Sequence, residues 1–163
     1  MGLILAIDPG PETCGVVLYD PDAKRVLESA NRPVVGVLAY IIDVAIVAIS
    51  RSEHLSVAIE RVQSAGISGA SLLQTSEVVG RLQQRALDCP LRVRLVYRRE
   101  VCAALHVSGK AKDAQVRQRM LEMHPGGTGT RKNPGPLYGV SSHAWQALGL
   151  AVAVSLMPDT EQT

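Results

Sequence analysis

Two short apolar runs, each closed by an acid, constrain this chain more than any other feature. Leu3-Ile4-Leu5-Ala6-Ile7 ends at Asp8-Pro9-Gly10, and Ser56-Val57-Ala58-Ile59 ends at Glu60. Continuous apolar runs of this length, carrying Val and Ile, read as buried strands. A carboxylate at the carboxyl end of such a strand is expensive unless it faces solvent, a cation or a metal. Taken singly, each acid has a plainer reading as a turn former or helix cap. If the two strands are sheet neighbours, however, the carboxylates converge, and two oxygens held close by a rigid sheet are what Mg²⁺ takes from a protein.

The segments around these runs read as an α/β pattern of three strands, helix, strand, helix, strand, then helices. Cys14 to Tyr19 is expected as a second strand, and Asp20-Pro21-Asp22 turns the chain into a third from Arg25 to about Asn31, an antiparallel meander. Val37 to Ser52 has helical length with apolar residues on nearly every face, which predicts a helix packed deep against the sheet. After a loop from Ser64 to Gly69, Ala70 to Ala86 has apolar residues near helical spacing, and Val93 to Tyr97 reads as a fifth strand. Helices are expected at Arg99 to Leu105 and at Asp113 to Met123, the latter burying Val116, Met120 and Met123. His124 to Tyr138 holds four glycines and three prolines, which predicts a long mobile loop without regular structure. Ser141 or Ser142 is expected to cap a last helix from His143 to about Met157, burying Ala147, Leu148, Leu150, Ala151, Val154 and Leu156. No internal repeat is visible, and residues 1–157 are expected to form one domain, with 158–163 a frayed tail.

Composition narrows the function classes. With no phenylalanine and 3% aromatics, the core must be built from Val, Leu, Ile and Ala, and rows of aromatic stacking platforms are disfavoured. Cys14, Cys89 and Cys102 are odd in number with no CxxC spacing, against a disulfide framework or structural zinc site. No stretch reaches membrane-spanning length, since Val37 to Ile49 already carries Tyr40 and Asp43. Met1-Gly2-Leu3-Ile4 lacks the basic region of a secretory signal, so a cytoplasmic protein is expected. The net charge of +2 hides an asymmetry: Arg92 to Lys132 holds ten Lys or Arg, including Lys110, Lys112, Arg117, Arg131 and Lys132, against three acids. That block is +7 and the remainder −5. A polyanion meeting one face is one reading; a solvated surface with i,i+4 pairs is the other.

Four motifs in order carry a family resemblance. Ile4-Leu5-Ala6-Ile7-Asp8-Pro9-Gly10 with Gly15, Val57-Ala58-Ile59-Glu60, Gly109-Lys110-Ala111-Lys112-Asp113-Ala114-Gln115-Val116, and His143-Ala144-Trp145-Gln146-Ala147-Leu148-Gly149-Leu150-Ala151 are together similar to the RuvC-like Holliday junction resolvases. Pro134 to Val140 looks most like phage-type members. The resemblance implies a ribonuclease H-like fold, a mixed five-stranded sheet with helices on both faces. It also implies a homodimer that binds four-way DNA junctions and nicks two opposing strands, using Mg²⁺ or Mn²⁺ held by four acidic side chains.

Carried over by position, the first two acids are Asp8 and Glu60, and an acid-x-x-Asp pattern opening the last helix falls on His143 and Gln146. An i,i+3 pair on the first turn points at one ion. His143 can bind a divalent ion or move a proton, whereas Gln146 offers only a neutral carbonyl oxygen. Weaker Mg²⁺ binding follows, and Mn²⁺ suits the imidazole better. Asp8, Glu60 and His143 are thus the expected metal residues, Gln146 the fourth catalytic position, and Asp113 stands reversed against the family's Asp-Lys pair. The implied chemistry is phosphodiester hydrolysis with two ions. Lys110 and Lys112 would neutralise or grip phosphate, with Arg117 in the same basic block, and the loop through Arg131 and Lys132 would close over a strand near the cut. Arg81, with Gln74, Gln83, Gln84 and Arg85, lies on the second long helix, which in the family is near junction and dimer contact; Leu72, Leu73 and Val79 there are interface or core. Two other readings stay open: a junction-binding protein disarmed by Gln146, and a phosphate-binding ATPase, because Asp8-Pro9-Gly10 with Gly15 also resembles the first phosphate loop of actin-like kinases. The latter needs two lobes, and 163 residues have room for one.

Overall fold

The computed structural model describes residues 2–63 and 69–158; the tail 159–163 and most of the loop expected at Ser64 to Gly69 lie outside the described residues. In chain order the elements are β1 (Leu3–Asp8), β2 (Thr13–Asp20), β3 (Arg25–Pro33), α1 (Val34–Ser50), β4 (Leu55–Arg61), α2 (Ala70–Asp88), β5 (Arg92–Tyr97), α3 (Arg98–Ala104), α4 (Asp113–Met123) and α5 (Ala144–Leu156). The five strands form one mixed sheet in the order β3-β2-β1-β4-β5. The first three strands are the antiparallel meander that their short turns predict, while β4 runs parallel to both β1 and β5.

Strand alternation divides the core in two. Leu5, Ile7, Val16, Val57 and Ile59 face α1 and α2, whereas Ile4, Ala6, Val17, Tyr19, Ala58 and Val96 face α3, α4 and α5. Helices therefore cover both faces of the sheet. Residues 144–153 of α5 are all buried, between the sheet and α3 and α4. That explains a helix apolar all round. Small side chains let it sit close: a Cβ on Gly149 would lie 2.7 Å from the Val116 side chain.

Several expected boundaries shift. β3 runs on to Pro33 and α1 starts at once at Val34 rather than Val37, because a proline has no N–H to lose at a strand end and its φ of −61° suits a helix start. α1 is not buried on every side. Val34, Val37, Tyr40, Ile41, Val44, Ala45 and Ala48 face the core, while Val35, Ile46 and Ile49 are 60–68% exposed. Among the described residues no further layer covers its outer face. α3 opens at Arg98, one residue earlier than expected, with Glu100 Oε2 accepting from the Tyr97 N–H at 2.8 Å. No serine side chain caps α5; the Ser141 and Ser142 carbonyls accept from the Ala144 and Trp145 N–H groups instead. Leu156 is exposed, since it lies on the last turn beyond the sheet.

The Gly/Pro segment after α4 holds no helix or strand, as expected, but its own backbone hydrogen bonds tie it down. Gly129 bridges Pro134, the Gly135 N–H bonds the Thr128 carbonyl, and the Leu137 N–H bonds the Gly127 carbonyl at 3.0 Å. Leu137 is fully buried and the Pro136 carbonyl accepts from the Val26 N–H at the start of β3. Positive φ at Gly126, Gly127 and Gly129 makes the glycines a requirement of this hairpin.

Candidate functional site

The register of the parallel pair settles where the two acids meet. Ile7 stands opposite Ile59, so Asp8 and Glu60 are the next residues at the carboxyl ends of adjacent strands. Because Ile7 and Ile59 point toward α1 and α2, alternation sends both carboxylates to the opposite face, at the start of α5. Their side chains are only 20% and 16% exposed.

His143 reaches the same place through three local devices. Asp8 is paired with Gly15 on β2, and a Cβ on Gly15 would lie 2.3 Å from the His143 carbonyl oxygen. Only a bare α-carbon lets the start of α5 settle there. Asn31, opposite Gly15 on β3, donates from Nδ2 to the Ser141 carbonyl at 3.1 Å. Ser142 then takes a left-handed φ of 49° and turns the chain into His143. The result is a His143 Nδ1 to Asp8 Oδ2 distance of 3.9 Å, with the imidazole 63% exposed.

Gln146 is buried one turn into α5, and its Oε1 accepts a short hydrogen bond from Arg98 Nη1. In the sequence Arg98 is one of the ten basic residues between Arg92 and Lys132, with nothing else to set it apart. It follows Tyr97, which pairs with Arg61 at the end of β5, so it leaves the sheet at the same edge as Asp8 and Glu60. Its guanidinium lies 3.7 Å from Glu60 Oε2 and 3.0 Å from Asp113 Oδ1. The sequence signal that could have found it is its place directly after a strand, at the same end of the sheet as the acids.

Burial dominates the electrostatics. It pushes the Asp8 carboxyl up from 3.8 to about 6, Arg98 lowering and Asp113 raising it. Glu60 is pushed up from 4.5 to about 7 by burial and then by the Asp8 charge, with Arg98 pulling it back. Two carboxyls that resist ionising side by side mark a place that favours a cation.

Among the described residues, no three His, Cys, Asp or Glu side chains are gathered tightly enough to enclose a metal. The donor set nonetheless suits an ion at Asp8. Its 3.9 Å separation from the imidazole nitrogen is within the roughly 4.2 Å that two ligands at about 2.1 Å can span across one ion. Glu60 Oε2, buried and 3.7 Å from the Arg98 guanidinium but without a hydrogen bond, is an acceptor beside it.

The basic residues are spread out. Lys110 and Lys112 are exposed in the α3–α4 connection, next to the Asp113 that Arg98 binds. The Arg117 guanidinium stacks 5.0 Å over the Trp145 ring. Arg131 and Lys132 are exposed at the hairpin, whose base is pinned at Val26, level with Tyr19 and Ile4 at the other end of β1 from Asp8. Arg81 is exposed on α2, the helix layer on the far side of the sheet from α5; on that helix Val79 is core and Leu73 is 64% exposed.

No protein-family model and no curated protein matches the chain. Solved structures do. The fold is similar to that of Thermus thermophilus RuvC, with 20% identity, a TM-score of 0.63 and coverage of 94% of this chain and 93% of that one. It is also similar to T. thermophilus RuvC in complex with Holliday junction substrate, with 17% identity, a TM-score of 0.66 and coverage of 96% and 94%. The mixed five-stranded sheet flanked by helices is therefore the ribonuclease H-like fold of RuvC.

Proposed function

We propose that this chain is a divalent-metal-dependent endonuclease that resolves four-way or otherwise branched DNA, acting as a cytoplasmic homodimer. The observation that carries the reading is the pairing of Asp8 and Glu60 at adjacent strand ends under His143, in the fold of a protein whose structure is solved with a Holliday junction. Mg²⁺ or Mn²⁺ held by Asp8, Glu60 and His143 would supply a water of lowered pKa and positive charge against the phosphate. Asp8 and Glu60 set the position of the cleavage centre, because the parallel ladder leaves them little freedom. His143, 63% exposed, would offer its Nδ1 beside Asp8 to the ion. Lys110, Lys112, Arg117, Arg131, Lys132 and Arg81 would grip the phosphate backbone, so affinity falls with salt and junction preference comes from shape. The exposed Leu73 on α2 is apolar surface that a second subunit would cover.

One observation favours a second reading, in which the protein binds junctions without cutting. Gln146 is neutral and its carbonyl oxygen is taken by Arg98. Incubating the protein with a labelled four-way junction and Mg²⁺ or Mn²⁺, beside Asp8→Asn, separates the two. Nicks in opposing arms that disappear in Asp8→Asn are expected. Cutting that persists in the variant rejects the assigned site, and tight binding with no cutting by the native protein establishes the second reading.

A further inference from the structure

We propose that Arg98 is a resident cation of this site: its guanidinium fills the space among Glu60, Gln146 and Asp113, so that the chain binds one divalent ion, at Asp8, rather than two. The inference rests on the nuclease reading and deepens it.

Three observations carry it. The Arg98 side chain is three-quarters withdrawn from solvent, and it is engaged on three sides, by Asp113 at 3.0 Å, Glu60 at 3.7 Å and the Gln146 carbonyl oxygen. A guanidinium held in this way is part of the site's construction, because it would be costly there without partners. Charge gives the second argument. With a cation bound and all three ionised, Asp8, Glu60 and Asp113 bring three negative charges to this end of the sheet and Arg98 returns one, which leaves two for the incoming cation to balance. One divalent ion meets that balance; a second would sit against the guanidinium and be repelled. Third, Gln146 makes sense as the partner of an arginine. Arg98 already faces two acids, and what its Nη1 needs from α5 is a neutral acceptor, which an amide supplies. The neutral amide and the arginine then work as one unit, in which fixed charge stands where a second ion would bind.

Nothing local forces the arginine into this position. It opens α3 with its backbone fixed by the Tyr97–Glu100 hydrogen bond, and the side chain could extend into solvent as that of its neighbour Arg99 does, over the Tyr97 ring. It turns inward to the carboxylates.

The test counts Mn²⁺ ions bound per chain, by calorimetry and by electron paramagnetic resonance, in the native protein, Arg98→Lys and the double variant Arg98→Met with Gln146→Asp. Circular dichroism checks that each is folded. The native protein and Arg98→Lys are expected to bind one ion with the spectrum of an isolated Mn²⁺. The double variant is expected to bind two, with the exchange-coupled spectrum of a close pair. Two ions in the native protein overturn the inference and leave the nuclease reading standing. A folded double variant that still binds only one also overturns it. A native protein that binds no Mn²⁺ removes the metal site itself, and both readings fall together. If the double variant does not fold, the native count and that of Arg98→Lys still decide.

Discussion

Replacing Gly15 by alanine should disable the site through one methyl group. The added Cβ would lie 2.3 Å from the His143 carbonyl oxygen, 2.4 Å from its carbon and 2.8 Å from the Ala144 nitrogen. Ordinary contact begins near 3.4 Å, so the strand and the helix start must part by about 1 Å. The obstructing atoms are backbone, and no rotamer change removes them. α5 cannot slide away as a rod, because residues 144–153 are buried on all sides. The displacement must therefore fall on His143, which is 3.9 Å from Asp8. Metal ligands tolerate errors of about 0.2 Å, so Mn²⁺ affinity should fall about 10- to 100-fold, the loss typical when a ligand's support is removed. Overpacking of this kind costs about 1–3 kcal/mol, which for a chain of this size lowers the melting temperature by roughly 2–12 °C. Calorimetric titration with Mn²⁺ and a thermal melt read both effects. A Gly15→Ala protein with native Mn²⁺ affinity and native melting temperature would show that α5 is not seated on β2 as described.

Gly80→Ala is the matched control: it lies in the exposed middle of α2 with no atom within 4 Å of the new Cβ, and should stabilise the protein by about 0.5–1 kcal/mol in a denaturant titration. The acids give a pH dependence of stability. Their folded pKa values, about 6 and about 7, exceed the ordinary 3.8 and 4.5, so between those limits the folded state holds more protons than the unfolded one and metal-free stability falls as pH rises from about 4 to about 7. Buried His124 acts in the opposite sense, its pKa being lowered by burial, so the effect is read as the difference in melting temperature between the native protein and Asp8→Asn, a difference that Mn²⁺ should shrink. Leu137→Ala, emptying a fully buried site beneath the hairpin, should cost about 2–5 kcal/mol by urea unfolding. Removing Lys110 or Lys112 should lower the slope of log affinity for a four-way junction against log salt by about one each, if each holds a phosphate; an unchanged slope would take that residue out of the interface.

The sheet was largely legible because its signals are local. Apolar runs ending at Asp8 and Glu60 announced two buried strands, and the tight turn at Asp20–Pro21–Asp22 announced the meander. That β1 and β4 are neighbours was a condition the sequence could pose and only the fold could answer. What escaped depends on contacts between distant residues. Arg98 looked like one of ten basic side chains because its partners Glu60 and Gln146 are 38 and 48 positions away in sequence. The hairpin from His124 to Tyr138 looked open because glycine and proline mark the end of regular structure without showing what a chain does next. Its order comes from Leu137 in the core and from β3. The same blindness affected α1: like α5 it is apolar on nearly every face, but α3 and α4 lie over α5, which is buried as expected, while the outer face of α1 is exposed.

A crystal grown with Mn²⁺ and examined at the manganese absorption edge tests most directly whether the strand ends of β1 and β4 form a cation site. One anomalous peak per chain is expected, touching Asp8 and the His143 imidazole, with Glu60 turned toward it and Arg98 still bound to Gln146. Manganese elsewhere on the molecule, with Asp8 and Glu60 left uncoordinated, would contradict the site.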